Sequence, residues 1–245
     1  LFDGSIHAPR VTIGALGPAE LLFVQQPVPP GTVFRYSFSD DMPLPVVPDA
    51  GPKGNDGTAG ALALFTVDDI PDVGVPDDAG IASLDGLTNF GAGDTGIATN
   101  RTLLLSNDTI AQAGGFTMEC WFQWAGAGQV NSIIDYAGTE KIVLQNDAGN
   151  GQRTLAMRFD VTQGGYGDVP IAAVGPGEWH YVAVVFDTGG APVNDNGSLT
   201  GEVTTYLDGL EPIGTTPGVT KASFGDSLVR SIGVGKHPLG FAGDF

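Results

Sequence analysis

The sequence predicts an all-β fold: a two-sheet antiparallel jelly-roll sandwich with long acidic loops and an extended N-terminal arm. Three observations carry that expectation. The run 116–124 alternates strictly, with Phe116, Met118, Cys120, Phe122 and Trp124 on one face and Thr117, Glu119, Trp121 and Gln123 on the other. The runs 155–160 and 179–186 share its period, and the second is apolar on both faces except at His180. Glycine (38 residues) and proline (17 residues) fall between the apolar runs, and no run holds the period of a long helix. A sheet with one dry face must bury it, so the dry faces are expected to meet.

Residues 1–30 are divided by Pro9, Pro18, Pro27, Pro29 and Pro30 into two short β-like pieces, 10–13 and 21–24. That is too little apolar surface for a separate domain, so the segment reads as an extended arm or linker that lies along the main domain or reaches a neighbour. The main domain, 31–245, is expected to open with a strand at 32–38. Residues 39–60 and 68–80 read as long acidic loops around a strand at 61–67. The pieces 81–87 and 96–99 are ambiguous, 101–105 reads as a strand, and 106–114 as a helical turn capped by Ser106 or Asn107. After the central run, 131–136 is expected to pair beside it as its next antiparallel neighbour. Strands follow at 141–145, 154–159 and 179–186, then a polar loop at 187–199. The strand 202–207 closes at the hairpin pair Asp208 and Gly209, and 227–235 is the last clear strand.

Composition narrows the function. A hydrophobic fraction of 42% in 245 residues suffices for one sandwich core. Ten Lys and Arg against 28 Asp and Glu give a formal charge of -18, which argues against nucleic acid or an anionic membrane as partner. No apolar run is long enough to span a bilayer. The single cysteine, Cys120, is on the dry face and reads as a small buried hydrophobe. The first residue is Leu1 and no signal peptide is visible, as expected of a processed or partial chain.

Four segments in order carry a family resemblance: Phe116-Thr-Met-Glu-Cys-Trp-Phe, Gly177-Glu-Trp-His-Tyr-Val-Ala-Val-Val-Phe-Asp187, Thr205-Tyr-Leu-Asp-Gly209, and Ser231-Ile-Gly-Val-Gly235 leading to 241–245. Over roughly 32–245 the chain resembles laminin-G-like and pentraxin-like domains of the concanavalin A-like lectin and glucanase superfamily. The resemblance implies a mostly noncatalytic jelly roll that binds glycans or proteins outside the cell, and in several relatives a structural calcium ion at one rim. It implies that Trp179 and His180 are structural, and that a rim calcium would use Asp244 and Asp85. It also implies a final strand beyond 243–245. The given sequence stops before it, so 31–245 reads as a sandwich lacking its final strand, through a disordered C-terminus, a cut fragment, or a partner strand supplied by another chain through residues 1–30.

An enzyme is disfavoured. Retaining glucanases need two carboxyls about 5 Å apart, and Glu119, Asp135, Glu140, Asp160 and Glu202 have no same-strand acidic partner at such a spacing. His7, His180 and His237 lack a nucleophile elbow, and no zinc spacing is present. Trp121, Gln123 and Arg158 are the ligand-binding candidates, because a ring flanked by planar polar groups suits a sugar. The competing reading covers Trp121 with the 39–60 or 68–80 loop as a second core. Calcium is the expected cofactor, with Asp195 as a further ligand candidate, although Asn194, Asp195 and Asn196 equally suit a plain Asx turn. Asn100, Asn107 and Asn196 begin formal glycosylation sequons. The expected function is a noncatalytic extracellular binding or adhesion module for a glycan or surface protein, stabilised by calcium. The alternative is a self-assembling fibre or surface-layer subunit, a homopolymer joined by strand exchange through residues 1–30.

Overall fold

Alternating apolar runs become two antiparallel sheets whose dry faces close on each other. The computed structural model describes residues 4–23, 28–38, 45–59, 64–66, 81–84, 97–99, 106–126, 131–136, 140–162, 165–222 and 232–234. In chain order the elements are β1 (Gly4–Ile13), a 3-10 turn (Pro18–Glu20), β2 (Thr32–Arg35), β3 (Val46–Val47), β4 (Gly57–Ala59), β5 (Leu64–Thr66), β6 (Ile81–Leu84), β7 (Ile97–Thr99) and α1 (Asn107–Gln112). Then follow β8 (Gly115–Trp124), β9 (Asn131–Tyr136), β10 (Glu140–Gly149), β11 (Gln152–Thr162), β12 (Gly165–Val174), β13 (Trp179–Asp187), β14 (Leu199–Leu207), β15 (Pro212–Lys221) and β16 (Ile232–Val234). The first sheet runs β15-β14-β13-β8-β1-β6-β5, with β2 also on β1, and the second runs β12-β11-β10-β9-β16-β7-β4-β3.

The predicted dry face is the core. Phe116, Met118, Cys120, Phe122 and Trp124 of β8 pack into one cluster with Ile134, Ile142, Leu144, Leu155, Met157 and Phe159 of the second sheet. The rings of Phe116, Phe159 and Phe186 meet at 5.4–6.2 Å and tie the two layers together. Gly115 starts β8 at φ 147°, and a Cβ there would lie 1.9 Å from the Phe186 carbonyl, so this close approach of β8 to β13 requires glycine. Ser106 caps α1 by accepting from the Thr109 amide at 3.2 Å.

Several expectations are corrected. Residues 131–136 do not pair beside the central run. Both edges of β8 are occupied, by β1 over 4–13 and by β13 over 179–187, so β9 enters the other sheet and pairs with β10 and β16. Residues 4–13 of the expected arm are an integral strand of the first sheet in this same chain. Ile6 and Val11 reach the core, while Pro9 sits in a shift of register between His7 and Arg10, with Ala8 at φ 45°, where it owes β8 no donor. The 39–60 stretch holds β3 and β4, and its acids fasten a turn. Asp49 accepts from the amides of Arg35 (2.8 Å), Gly51 (2.7 Å) and Asn55 (2.8 Å), and Asp56 accepts from the amide of Asp49 (3.0 Å). The loop expected at 68–80 and the strand expected at 101–105 lie outside the described residues. No helix among the described residues is long and apolar enough to cross a membrane.

Candidate binding surfaces

The outer face of the first sheet is closed by its own chain. Thr117, Glu119 and Trp121 of β8 and Tyr181, Ala183 and Val185 of β13 point away from the core. Residues 14–23 fold back across them as a strap. Leu16, Leu21, Leu22 and Phe23 of the strap form a second apolar cluster with Ala8, Trp121, Tyr181, Ala183, Val185 and Tyr206. Both faces of β8 are therefore dry.

A buried polar clasp fixes the strap. Arg10 donates to Glu119 Oε1 through Nε (2.7 Å) and Nη2 (2.5 Å), and Nη2 also donates to the Glu20 carbonyl at 2.6 Å. Glu119 Oε2 accepts from the Leu22 amide (2.7 Å) and the Tyr181 hydroxyl (2.5 Å). Burial, together with the charge and hydrogen bond of Glu119, holds the Tyr181 phenol well above its ordinary range, so it remains a donor. Thr117 completes the attachment, accepting from the Leu16 amide at 3.1 Å and donating to the Gly14 carbonyl at 2.9 Å.

This geometry corrects the placement of Trp121. Its ring is 4% exposed, stacks on Phe23 at 5.7 Å and meets Tyr181 at 5.4 Å, so it offers no face to a sugar. It belongs to a second core, covered by the N-terminal strap. Gln123, half-buried, donates to the Gly177 carbonyl at 3.2 Å and secures the turn before β13.

Arg158 lies on the other sheet, so the three binding candidates are not brought together. On the outer face of the second sheet Arg158 of β11 stands opposite Asp168 of β12. Its Nε donates to Asp168 Oδ1 at 2.7 Å and its Nη2 to Oδ2 at 3.1 Å, while Gln145 of β10 donates to Oδ2 at 2.6 Å. Partial burial works to raise the Asp168 pKa, but the Arg158 hydrogen bond and charge, helped by Gln145 and Lys141, leave it below the ordinary value. The pair is partly open, with side chains 21% and 32% exposed. Lys141, opposite Arg158 on β10, bonds Asp135 at 3.9 Å. Cation thus balances anion here, against the chain's overall charge of -18. Asp168 and Gln145 escaped sequence reasoning. The alternation of Asp168 with Val169 and Ile171 is the signal that could have revealed them, but Gly165, Gly167 and Pro170 made β12 look like a loop.

The buried carboxylates each stand beside a cation: Glu119 by Arg10, Asp135 by Lys141 and Glu140 by Lys221. Among the described residues no group of three or more His, Cys, Asp and Glu gathers as a metal site. Asp195 is exposed in a turn. Asn196 Oδ1 there accepts from the Ser198 amide and hydroxyl, while Asn194 Nδ2 donates to Ser198 and Thr200, the hydrogen bonds of an Asx turn. Asp85 and Asp244 lie outside the described residues. His180 Nδ1 pairs with Asp208 Oδ2 at 2.9 Å and Asp208 Oδ1 accepts from the Tyr181 amide, a structural use at the hairpin. Asn107 is 1% exposed, so the folded chain does not present that sequon.

Two facing antiparallel sheets closed on a common apolar core define a β-sandwich. Residues 94–244 match a laminin G family model described as concanavalin A-like lectin/glucanases superfamily, and the chain belongs to that superfamily. No curated protein matches the sequence. Among solved structures, the binding domain of Paraclostridial Mosquitocidal Protein 1 is similar at 12% identity and a TM-score of 0.47, over 83% of this chain and 47% of that one. The chain therefore spans about half the length of that structure.

Proposed function

We propose that the chain is a noncatalytic extracellular binding or adhesion module that takes a glycan on the outer face of its second sheet, through Arg158, Asp168 and Gln145. The supporting observation is the contrast between the faces: one lies beneath the strap, and the other carries a partly open, mutually oriented set of a guanidinium, a carboxylate and a carboxamide. Their planar donors and acceptors suit vicinal hydroxyls, each of which both gives and takes a hydrogen bond. The balance of charge favours a neutral sugar over an anionic one. Loss of hydrogen bonds to a charged group costs about 1.5–3 kcal/mol. Arg158→Ala is therefore expected to weaken binding about ten- to a hundredfold on a glycan array followed by titration, with the protein still folded and only a small fall in melting temperature from the lost surface pair. Full binding by a folded Arg158→Ala protein refutes the surface.

The same reading includes a structural calcium ion, for which the acid excess is the support and Asp85, Asp244 and Asp195 are the candidate ligands. Chelator should then lower the melting temperature. Identical melting in chelator and in added calcium removes the ion from the reading.

A further inference from the structure

Lys221, the last residue of β15, is 1% exposed and stands opposite Leu199, so it shares the inward face of that core residue. Its Nζ lies 3.3 Å from Glu140 Oε1 on the facing sheet. Glu140 stands opposite Phe159, a member of the clustered core phenylalanines. Lys221 Nζ also donates to the Ala222 carbonyl at 3.4 Å. That carbonyl accepts in addition from Nδ2 of the buried Asn107, at 3.3 Å, and the same Nδ2 donates to the Gly197 carbonyl at 2.8 Å. An amine, a carboxyl and a carboxamide from three distant elements thus meet at one inner end of the sandwich. A structural ion pair accounts for Lys221 and Glu140 alone. It does not account for the buried Asn107 carboxamide, which shares the Ala222 carbonyl as acceptor with the Lys221 amine.

We propose that Lys221 and Asn107 become joined by an intramolecular amide bond, with Glu140 as the proton shuttle. The ammonium first passes a proton to the carboxylate at 3.3 Å, giving an amine and an acid. The Nζ lone pair attacks Asn107 Cγ and the new C–N bond forms. Glu140 delivers its proton to Nδ2 and takes one from Nζ. The Cγ–Nδ2 bond then breaks and ammonia leaves, stabilised by the two carbonyls already accepting from that nitrogen. Nothing is oxidised or reduced, and proximity supplies the main advantage. The bond would fasten α1 to the end of the edge strand β15, a covalent tie in a chain whose single cysteine allows no intrachain disulfide.

The test is the mass of the purified, denatured chain. It is expected to fall short of the sequence mass by one ammonia, and digestion should yield a branched peptide joining Asn107 to Lys221. Asn107→Ala and Lys221→Met should restore the full mass, and Glu140→Gln should leave a folded but unlinked chain. The full sequence mass in the wild-type protein overturns the proposal. So does loss of ammonia without the branched peptide, since cyclisation at another asparagine gives the same mass. If the variants fail to fold, the wild-type mass and peptide map decide alone.

Discussion

Glu119→Ala tests whether the strap is fastened as described. The substitution removes the acceptor of three donors at once: the Arg10 guanidinium, the Leu22 amide and the Tyr181 hydroxyl. Arg10 and Glu119 are 1% and 0% exposed, so water does not screen the loss. Stranding one charge of such a pair costs about 3–5 kcal/mol. At about 2–4 °C per kcal/mol for a domain of this size, melting should fall by roughly 10 °C. Urea unfolding followed by tryptophan fluorescence measures the loss, and limited proteolysis reports whether residues 14–23 have come free. The double variant Arg10→Met with Glu119→Leu separates charge from geometry. It should recover most of the loss yet stay about 1–3 kcal/mol below the wild type, because the Leu22 amide and Tyr181 hydroxyl still lack an acceptor. A single-variant loss below about 1 kcal/mol, with the strap still protected, would refute the clasp.

Trp121→Ala should cost about 3–5 kcal/mol in urea unfolding by opening a cavity under the strap, and a cost near zero would return Trp121 to the surface. Burial, reinforced by the adjacent Glu119 charge, pushes the Cys120 thiol far up, so a thiol reagent at neutral pH should label it in denaturant and leave the native protein unmodified. Labelling of the native protein would contradict the core assignment. The Asp168 pKa is depressed in the folded chain, so the Arg158 contact stabilises fully above the ordinary aspartate range and is lost as pH falls through the lowered folded value. Carboxyl NMR should place the Asp168 midpoint below that of a model aspartate, and an ordinary or raised midpoint would refute the pairing.

The inner core was legible because a period of two needs no knowledge of topology. Phe116, Met118 and Phe122 must share a face whatever lies across from it. What covers the other face was not legible. Thr117, Glu119 and Trp121 look like a wet face, and their partners Leu16, Leu22 and Arg10 are about a hundred residues away, in a segment whose prolines suggested a linker. Pairing order failed similarly: local spacing favours 131–136 beside 116–124, yet β1 and β13 compete for both edges and win over long registers. Strands β12 and β15 were missed because Gly167, Pro170, Gly214 and Pro217 mimic turns, although an edge strand tolerates them. The candidate surface was therefore half readable. Arg158 was visible on its polar face, but Asp168 and Gln145 matter through a register that sequence spacing does not encode.

The arrangement also bears on how the module can join a partner. Backbone pairing needs an accessible strand edge, and at one end of the first sheet that edge is β15. Its exposed residues include Pro212 and Pro217, which have no amide hydrogen, and Gly218 at φ 70°, while its register against β14 shifts twice. Such an edge resists an added strand. At the centre of the sheet, the position beside β8 that a donor strand would seek is held by β1 of the same chain and sealed by the Arg10–Glu119 clasp. Exchange through residues 1–30 would have to break that buried pair before any new pairing formed. A side-chain surface such as Arg158 and Asp168 asks for no such opening, and this physical asymmetry favours recognition across the open sheet face over assembly by strand addition.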